Sequence, residues 1–364
     1  MAIPGEFGKG PMIWALGLMS GTSADGVDAA LIETDGETIG GFGRSTCVPY
    51  TARERALIRG AFGLWPGADG LAEVAEVVER RHLEAAALGG EVVGFHGQTL
   101  AHDPEGYRTH QLGSGAWLAA ALSRSVVWDF RSADVLSGGE GAPLVPVFHR
   151  AALQFAGIRE VTAVLNLGGV GNVTWVAPSG ELLAFDTGPG NALLDDLMRA
   201  RVGTEMDVGG ALAADGRISE EIVADVLADP FFARKPPKSL DRDHFGWVLD
   251  RVAPLATEDA LKTLAAVTAA TVADAVRHMP EPPARWLLAG GGRRNATVAA
   301  LIGARTNAPV AAVEAVGLDG DMLEAQAFGY LAVRVLRGLP TSFPETTGAR
   351  LPVCGGRISR AALR

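Results

Sequence analysis

Asp186 ends the apolar run Leu183-Ala184-Phe185 and is followed by Thr187-Gly188-Pro189-Gly190-Asn191. A carboxylate delivered by a strand into a turn can serve as a base or hold a polar ligand, and α/β enzymes keep their chemistry at such places. The same residues could form an Asx-turn that only shapes the loop. Glycine-rich turns flank it on both sides of the chain. Gly21-Thr22-Ser23-Ala24-Asp25-Gly26-Val27-Asp28 combines two glycines, two hydroxyls and two carboxylates. Triphosphate cradling needs backbone N–H groups and hydroxyls for the oxygens, with a carboxylate near Mg²⁺. A polar hairpin turn is the plainer alternative. Asn166-Leu167-Gly168-Gly169-Val170-Gly171-Asn172 is a second such turn, and Gly290-Gly291-Gly292 a third. The third follows an apolar strand and precedes a helix, so it can let an adenine, ribose or phosphate approach or simply make a tight connection. It is neither a G-x-G-x-x-G fingerprint nor a Walker A loop. His96, Gln98 and Arg131 stand at comparable strand ends and could hydrogen-bond a polyol, although a lone histidine is often structural.

The elements that must position these residues follow from periodicity. Ile13–Met19, Val27–Thr34 and Ile39–Val48 predict an antiparallel meander, with the 21–28 loop between its first two strands. Leu71–Leu88 has helical spacing, and Val92–Phe95 is a short strand that hands over to His96-Gly97-Gln98-Thr99. A helix at Ala116–Ser123 and a strand at Val126–Trp128 lead to Asp129-Phe130-Arg131. The second half repeats the opening: strand Val161–Leu165, glycine turn, strand Val173–Ala177, turn, strand Leu182–Phe185. Asn191 should cap the helix Ala192–Ala200. Later helices are expected at Ile218–Ala228, Glu258–Met279 and Asp321–Leu336, with Asp321 and Glu324 in the first turn of the last.

At 364 residues the chain is long for one domain, and two are expected. The boundary is placed near the loop Gly138–Pro143, giving domains 1–137 and 138–339, with the tail 340–364 packing back on the first. A net charge of −10 argues against nucleic acid or an anionic membrane as the main partner. Cys47 and Cys354 are the only cysteines, which suits a reducing compartment. Met1 to Pro11 lacks the apolar core of a signal peptide, and no apolar run approaches the ~18 residues of a bilayer span. These points predict a cytoplasmic protein.

Several long motifs together are similar to those of one family. Gly17-Leu18-Met19-Ser20-Gly21-Thr22-Ser23-Ala24-Asp25-Gly26-Val27-Asp28 resembles the opening motif of the anhydro-N-acetylmuramic acid kinases. Gly94–Thr99, Phe130-Arg131, Gly141–Pro146, Asn166–Gly169, Phe185–Asn191, Pro236–Ser239, Gly290–Gly292, Glu324-Ala325 and Thr347–Ala349 follow in family order. The resemblance implies an α/β fold of two actin-like (ribonuclease H-like) domains with an ATP and substrate cleft between them. It implies ATP-dependent opening of the 1,6-anhydro ring of 1,6-anhydro-N-acetylmuramic acid with phosphorylation of O6, in peptidoglycan recycling. Asp186 matches the catalytic aspartate. Residues 21–28, Gly168, Gly169 and Gly290–Gly292 would hold ATP, His96, Gln98, Arg131 and Asp186 the sugar, and Asp25 and Glu324 Mg²⁺. A homodimer is suggested by the same resemblance. One segment departs from the pattern: the family reads Lys-Ser-Thr-Gly-Arg-Glu where this chain has Lys238-Ser239-Leu240-Asp241-Arg242-Asp243. The rival readings are a kinase for another anhydrosugar such as levoglucosan, and a catalytically silent sugar-binding regulator of the same fold.

Overall fold

The structure, a computed structural model, describes residues 10–361; the reading of Met1 to Pro11 falls largely outside them. Contacts divide the chain into two compact units. One runs to Gly157 and resumes at Met322; the other spans Ile158–Asp321.

The first unit opens with the expected meander, β1 (Ile13–Ser20), β2 (Gly26–Thr34) and β3 (Ile39–Pro49), all antiparallel neighbours. β4 (Val92–Asp103) runs parallel to β1, and β6 (Ser125–Trp128) parallel to β4, while β5 (Arg108–Leu112) folds back on the far end of β4. The second unit repeats the plan. β7 (Thr162–Leu167), β8 (Val170–Val176) and β9 (Leu182–Pro189) form a meander, and β10 (Arg285–Ala289) and β11 (Val310–Ala312) add parallel strands beside β7. The last strand, β12 (Arg357–Ser359), returns to the first sheet and pairs antiparallel with β6. The two sheets read β3-β2-β1-β4-β6-β12 and β9-β8-β7-β10-β11, so their first five positions correspond. This is the doubled α/β, actin-like plan expected of the sequence.

β1 is buried along both faces because helices cover both. The helix Leu323–Leu336 lies directly on the sheet where Gly17 and Gly94 stand side by side in register. A Cβ at Gly17 would sit 1.7 Å from the Ala325 carbonyl oxygen, and one at Gly94 2.0 Å from that of Phe328. No residue with a side chain fits at either place. On the other face, Val74 and Val78 of the helix Leu71–Ala85 join Leu16, Leu18, Val93 and Phe95 in one core. The division therefore differs from the expected boundaries near 138 and 339. The helix Leu323–Leu336 buries its apolar face on β1, β2 and β4, and Phe148 of the helix Pro146–Phe155 packs against Tyr330. In the second unit the helix Thr257–Ala275 is buried along most of its length, as its many alanines and threonines permit, with the charged Glu258, Asp259, Lys262 and Asp274 at its less buried positions.

Four strands are longer than periodicity suggested. β4 continues through His96 and Gln98 to Asp103, because the hairpin with β5 supplies partners for its second half. β7 and β8 absorb most of Asn166–Asn172, leaving a turn at Gly168-Gly169. β9 runs past Asp186 to Pro189. Polar residues and glycines in these stretches masked the strand pattern.

Candidate active site

In the first unit the 20–26 loop is held from below. Ser20 Oγ donates to Gln98 Oε1 at 2.6 Å, and Gln98 Nε2 donates to the Gly21 carbonyl at 3.1 Å. The Ala24 N–H closes the turn on the Gly21 carbonyl at 3.1 Å, with Ala24 itself in the left-handed region at φ 53°. Gln98, expected to contact the sugar, is completely buried, and its amide hydrogen-bonds Ser20, Gly21 and Thr99, so it shapes the loop. Thr22 and Ser23 are exposed. Asp25 is exposed and pairs with Arg55 at 2.9 Å.

His96 and Arg131 are brought together. Arg131 Nε donates to His96 Nε2 at 3.0 Å, and His96 Nδ1 lies 2.9 Å from the Gly97 carbonyl. Since a guanidinium can only donate, Nε2 accepts and the proton sits on Nδ1. Burial, reinforced by the Arg131 charge, pushes the imidazole pKa well below its ordinary value, so His96 is a neutral prop for Arg131. A second guanidinium nitrogen donates to the Gly141 carbonyl at 2.7 Å. Gly141 is fixed in turn by Asp134, a buried carboxylate that also accepts from Thr347 Oγ1 at 2.7 Å and from Ser342. Asp134 was not singled out from the sequence; the signal for it lay in the motif at Thr347.

Glu324 opens the helix that the glycines admit onto the sheet. Its carboxyl is reached by water yet crowded by protein, and that crowding raises its pKa; the Arg131 charge opposes the shift and Asp28 adds to it. Arg131, Glu324 and Asp28 thus share one field. Among the described residues no group of three or more His, Cys, Asp or Glu could cage a metal. One or two carboxylates beside a triphosphate suit Mg²⁺, which keeps waters and takes its other oxygens from substrate. Asp28 and Glu324 fit that requirement, and the exposed Asp25–Arg55 pair is of the kind worth ~0–1 kcal/mol, so it is readily exchanged.

In the second unit Asp186 sits at a β-bulge. Asn172 pairs with Asp186 and Gly171 with Gly188, leaving Thr187 as the inserted residue. Asp186 is half-buried and held twice by the departing segment. Its N–H donates to the Lys238 carbonyl at 3.0 Å, and its Oδ2 accepts from the Leu240 N–H at 2.8 Å. Neither partner was legible from the sequence, because both are backbone groups of an irregular stretch. Asn191 does not cap its helix by its side chain; Nδ2 donates instead to the Leu167 carbonyl at 2.9 Å. That bond ties the Asp186 turn to the Gly168-Gly169 turn, as do the Asn191 N–H to the Gly168 carbonyl at 2.7 Å and the Gly190 N–H to that of Gly169 at 3.0 Å. Gly292 joins them: a Cβ there would meet Leu167 at 2.6 Å and Asn191 at 2.7 Å. The two later glycine loops and the aspartate turn therefore converge.

The candidate nucleotide glycines fall into two kinds. Gly26, Gly290 and Gly292 are demanded by packing, since a Cβ would meet Val48 O at 2.7 Å, Asn166 Oδ1 at 2.3 Å and Leu167 at 2.6 Å respectively. At Gly21, Gly168 and Gly169 a Cβ would find nothing nearer than 3.6 Å, and at Gly291 nothing within 4 Å. Nothing in the protein requires glycine at these four, and a closely approaching ligand would.

The anhydro-N-acetylmuramic acid kinase family matches residues 13–361. A relative from Cereibacter sphaeroides named anhydro-N-acetylmuramic acid kinase is 56% identical over 361 residues, covering 97% of each chain. One from a Jannaschia species, named anhydro-N-acetylmuramic acid kinase 1, is 53% identical over 363 residues, again covering 97% of each chain. Another from Roseobacter denitrificans is 52% identical, covering 95% of this chain and 94% of its own. With agreement of this depth from end to end, the chain belongs to the anhydro-N-acetylmuramic acid kinase family.

Proposed function

We propose that the chain uses ATP and a divalent cation to open 1,6-anhydro-N-acetylmuramic acid with water and to phosphorylate O6, giving N-acetylmuramate 6-phosphate and ADP. Family membership across residues 13–361 carries this conclusion. In this reading Asp186 takes a proton from the water that attacks C1. The C1–O6 bond breaks, and the freed O6 attacks the γ-phosphorus, so no separate acid is needed for the leaving oxygen. The two backbone bonds that fix the Asp186 main chain and carboxylate support its role as the base, because a general base works only when it is placed.

Arg131, propped by neutral His96, supplies a fixed positive charge to the sugar. Gly21, Gly168, Gly169 and Gly291 give the triphosphate close access to backbone N–H groups, with Thr22 and Ser23 as further donors. A cation such as Mg²⁺ would neutralise charge on the transferring phosphate, held by Glu324 with Asp25 or Asp28. An ATP-dependent step on a recovered wall sugar suits a cytoplasmic protein. Among the described residues no helix is long and apolar enough to cross a membrane. A homodimer is the assembly the family resemblance suggests.

The test is incubation with 1,6-anhydro-N-acetylmuramic acid, Mg-ATP and ¹⁸O-water, with levoglucosan in parallel. The expected result is ADP and a 6-phosphorylated sugar with label at C1. Turnover of levoglucosan alone would overturn the choice of substrate.

A further inference from the structure

The segment Pro236–Asp243 leaves the family pattern after Ser239, yet its Lys238 is 4% exposed and the segment grips one residue of β9. We propose that Lys238 is a positioning residue for Asp186: its ammonium, seated in a cage of aromatic rings and carbonyls, anchors the segment whose Lys238 carbonyl and Leu240 amide hold the aspartate. The inference rests on reading Asp186 as the base.

The ammonium lies 4.5 Å from the centre of the Phe231 ring and 5.9 Å from those of Phe185 and Phe232. It donates to the Phe231 carbonyl at 3.1 Å and to the Phe232 carbonyl at 3.3 Å. Phe185 directly precedes Asp186, so the cage is built partly on the strand that carries the aspartate. A lysine that only filled this space would be a poor choice, since burying an ammonium is costly where a methionine would fit at no such cost. The carbonyls do not need it either. That of Phe231 also accepts from the Arg234 N–H at 3.2 Å, and that of Phe232 from His278 Nε2 at 2.9 Å and from Arg277. What the lysine adds is charge fixed beside the Asp186 turn.

Several ionisable groups share this field. Asp274, Arg277 and His278 come from the helix Thr257–Ala275 and the turn after it, Arg234 from the segment's approach, and Asp186 from β9. His244, paired with Asp229 at 3.2 Å, stands edge-on to Phe245 and 6.4 Å from Phe231. Burial pushes the Lys238 pKa down to about 8; Asp274 and Asp186 oppose the shift, and Arg277 and Arg234 reinforce it. The anchor therefore loses its charge in mildly alkaline solution.

The test compares kcat, KM for ATP and melting temperature for the wild type, Lys238→Met, Lys238→Arg and Asp186→Asn. Rates are taken between about pH 6 and about pH 9.5, to span the ionisation of Lys238. The wild-type kcat should fall as pH rises through about 8. Lys238→Met should lose roughly tenfold or more in kcat at neutral pH, as slight misplacement of a catalytic group does, with KM for ATP little changed. Its melting temperature should be no lower, because a buried charge has gone. Lys238→Arg keeps its charge throughout and should abolish the alkaline fall while retaining part of kcat. A normal kcat in Lys238→Met, or an alkaline fall persisting in Lys238→Arg, overturns the proposal; should the Met variant not fold, the Arg profile decides alone. An active Asp186→Asn would instead overturn the base assignment, whereas an inactive one beside a normal Lys238→Met sinks only the role of Lys238.

Discussion

The Leu240 N–H points at Asp186 Oδ2 from 54 residues further along the chain, at 2.8 Å. An asparagine at 186 keeps an oxygen to accept that bond and loses only basicity. Asp186→Asn should therefore fold normally, bind ATP with little change and lose ~10²–10⁴ in kcat, the range for a general base. Steady-state kinetics with both substrates checks this, and a near-normal kcat would remove Asp186 from the chemistry.

Glycine-to-alanine substitutions should separate ligand contacts from packing. At Gly21 and Gly291 a methyl group has room, so both variants should keep the wild-type melting temperature while KM for ATP rises severalfold or more. At Gly26 and Gly290 the methyl would overlap Val48 O and Asn166 Oδ1, costing about 1–3 kcal/mol of stability. Calorimetry beside ATP titration distinguishes the two classes, and an unchanged KM in both Gly21→Ala and Gly291→Ala would remove them from the nucleotide site.

His96 should contribute no inflection to the pH–rate profile. Its folded pKa is depressed by burial and by Arg131, so it stays neutral through the region near ~6.5 where a free histidine titrates. His96→Gln retains an acceptor for Arg131 and should raise KM for the sugar only slightly. His96→Ala releases the guanidinium and should raise it roughly tenfold, of the order lost with one hydrogen bond to a charged group. Equal KM values in both variants would show that the prop is dispensable.

Turnover should stop in excess EDTA and return with added Mg²⁺, because two carboxylates and a triphosphate need a counter-charge. Glu324→Gln should raise the Mg²⁺ concentration for half-maximal rate by about tenfold or more, as loss of one hard ligand does. Full activity in EDTA would rule out the cation; an unchanged Mg²⁺ requirement would remove Glu324 from its site.

Acid should destabilise the first unit through Glu54. Burial alone would raise its pKa, but hydrogen bonds from Arg81, the Thr51 N–H and Arg80 outweigh that and hold it at about 2. The folded value lies below the unfolded one, so the contribution is complete above about 4.5 and is lost as pH falls towards 2. The window corresponds to roughly 3 kcal/mol at ~1.4 kcal/mol per unit. Urea unfolding as a function of pH should show the slope, and Glu54→Gln should flatten it; an identical slope in the variant would assign the acid sensitivity elsewhere.

Much of the fold could be read from the chain because its meanders alternate in simple ways. Ile13–Ser20 and its counterpart Thr162–Leu167 are apolar runs closed by glycine turns, and their repetition announces two related sheets. What escaped was polar and buried. His96 and Gln98 look like loop residues, yet lie inside β4, where Arg131 and Ser20 satisfy them. The hold on Asp186 escaped for a different reason. It is made by the main chain of residues 238 and 240, and side-chain identity says little about where a backbone N–H will point. The open and filled glycines are likewise indistinguishable until their neighbours are in place.

The discontinuity of the first unit has a consequence for its birth on the ribosome. Its sheet begins with β1, but the helix Leu323–Leu336 that covers one face, and β12 that closes one edge, are made after the whole of the second unit. The second unit, Ile158–Asp321, is contiguous and leaves the ribosome in between. The usual order of N-terminal domain first is therefore reversed: the part that starts first finishes last. At ~5–20 residues per second, β1, β2 and β4 would wait roughly 10–60 s with an apolar face uncovered, an interval in which chaperones have the most to protect.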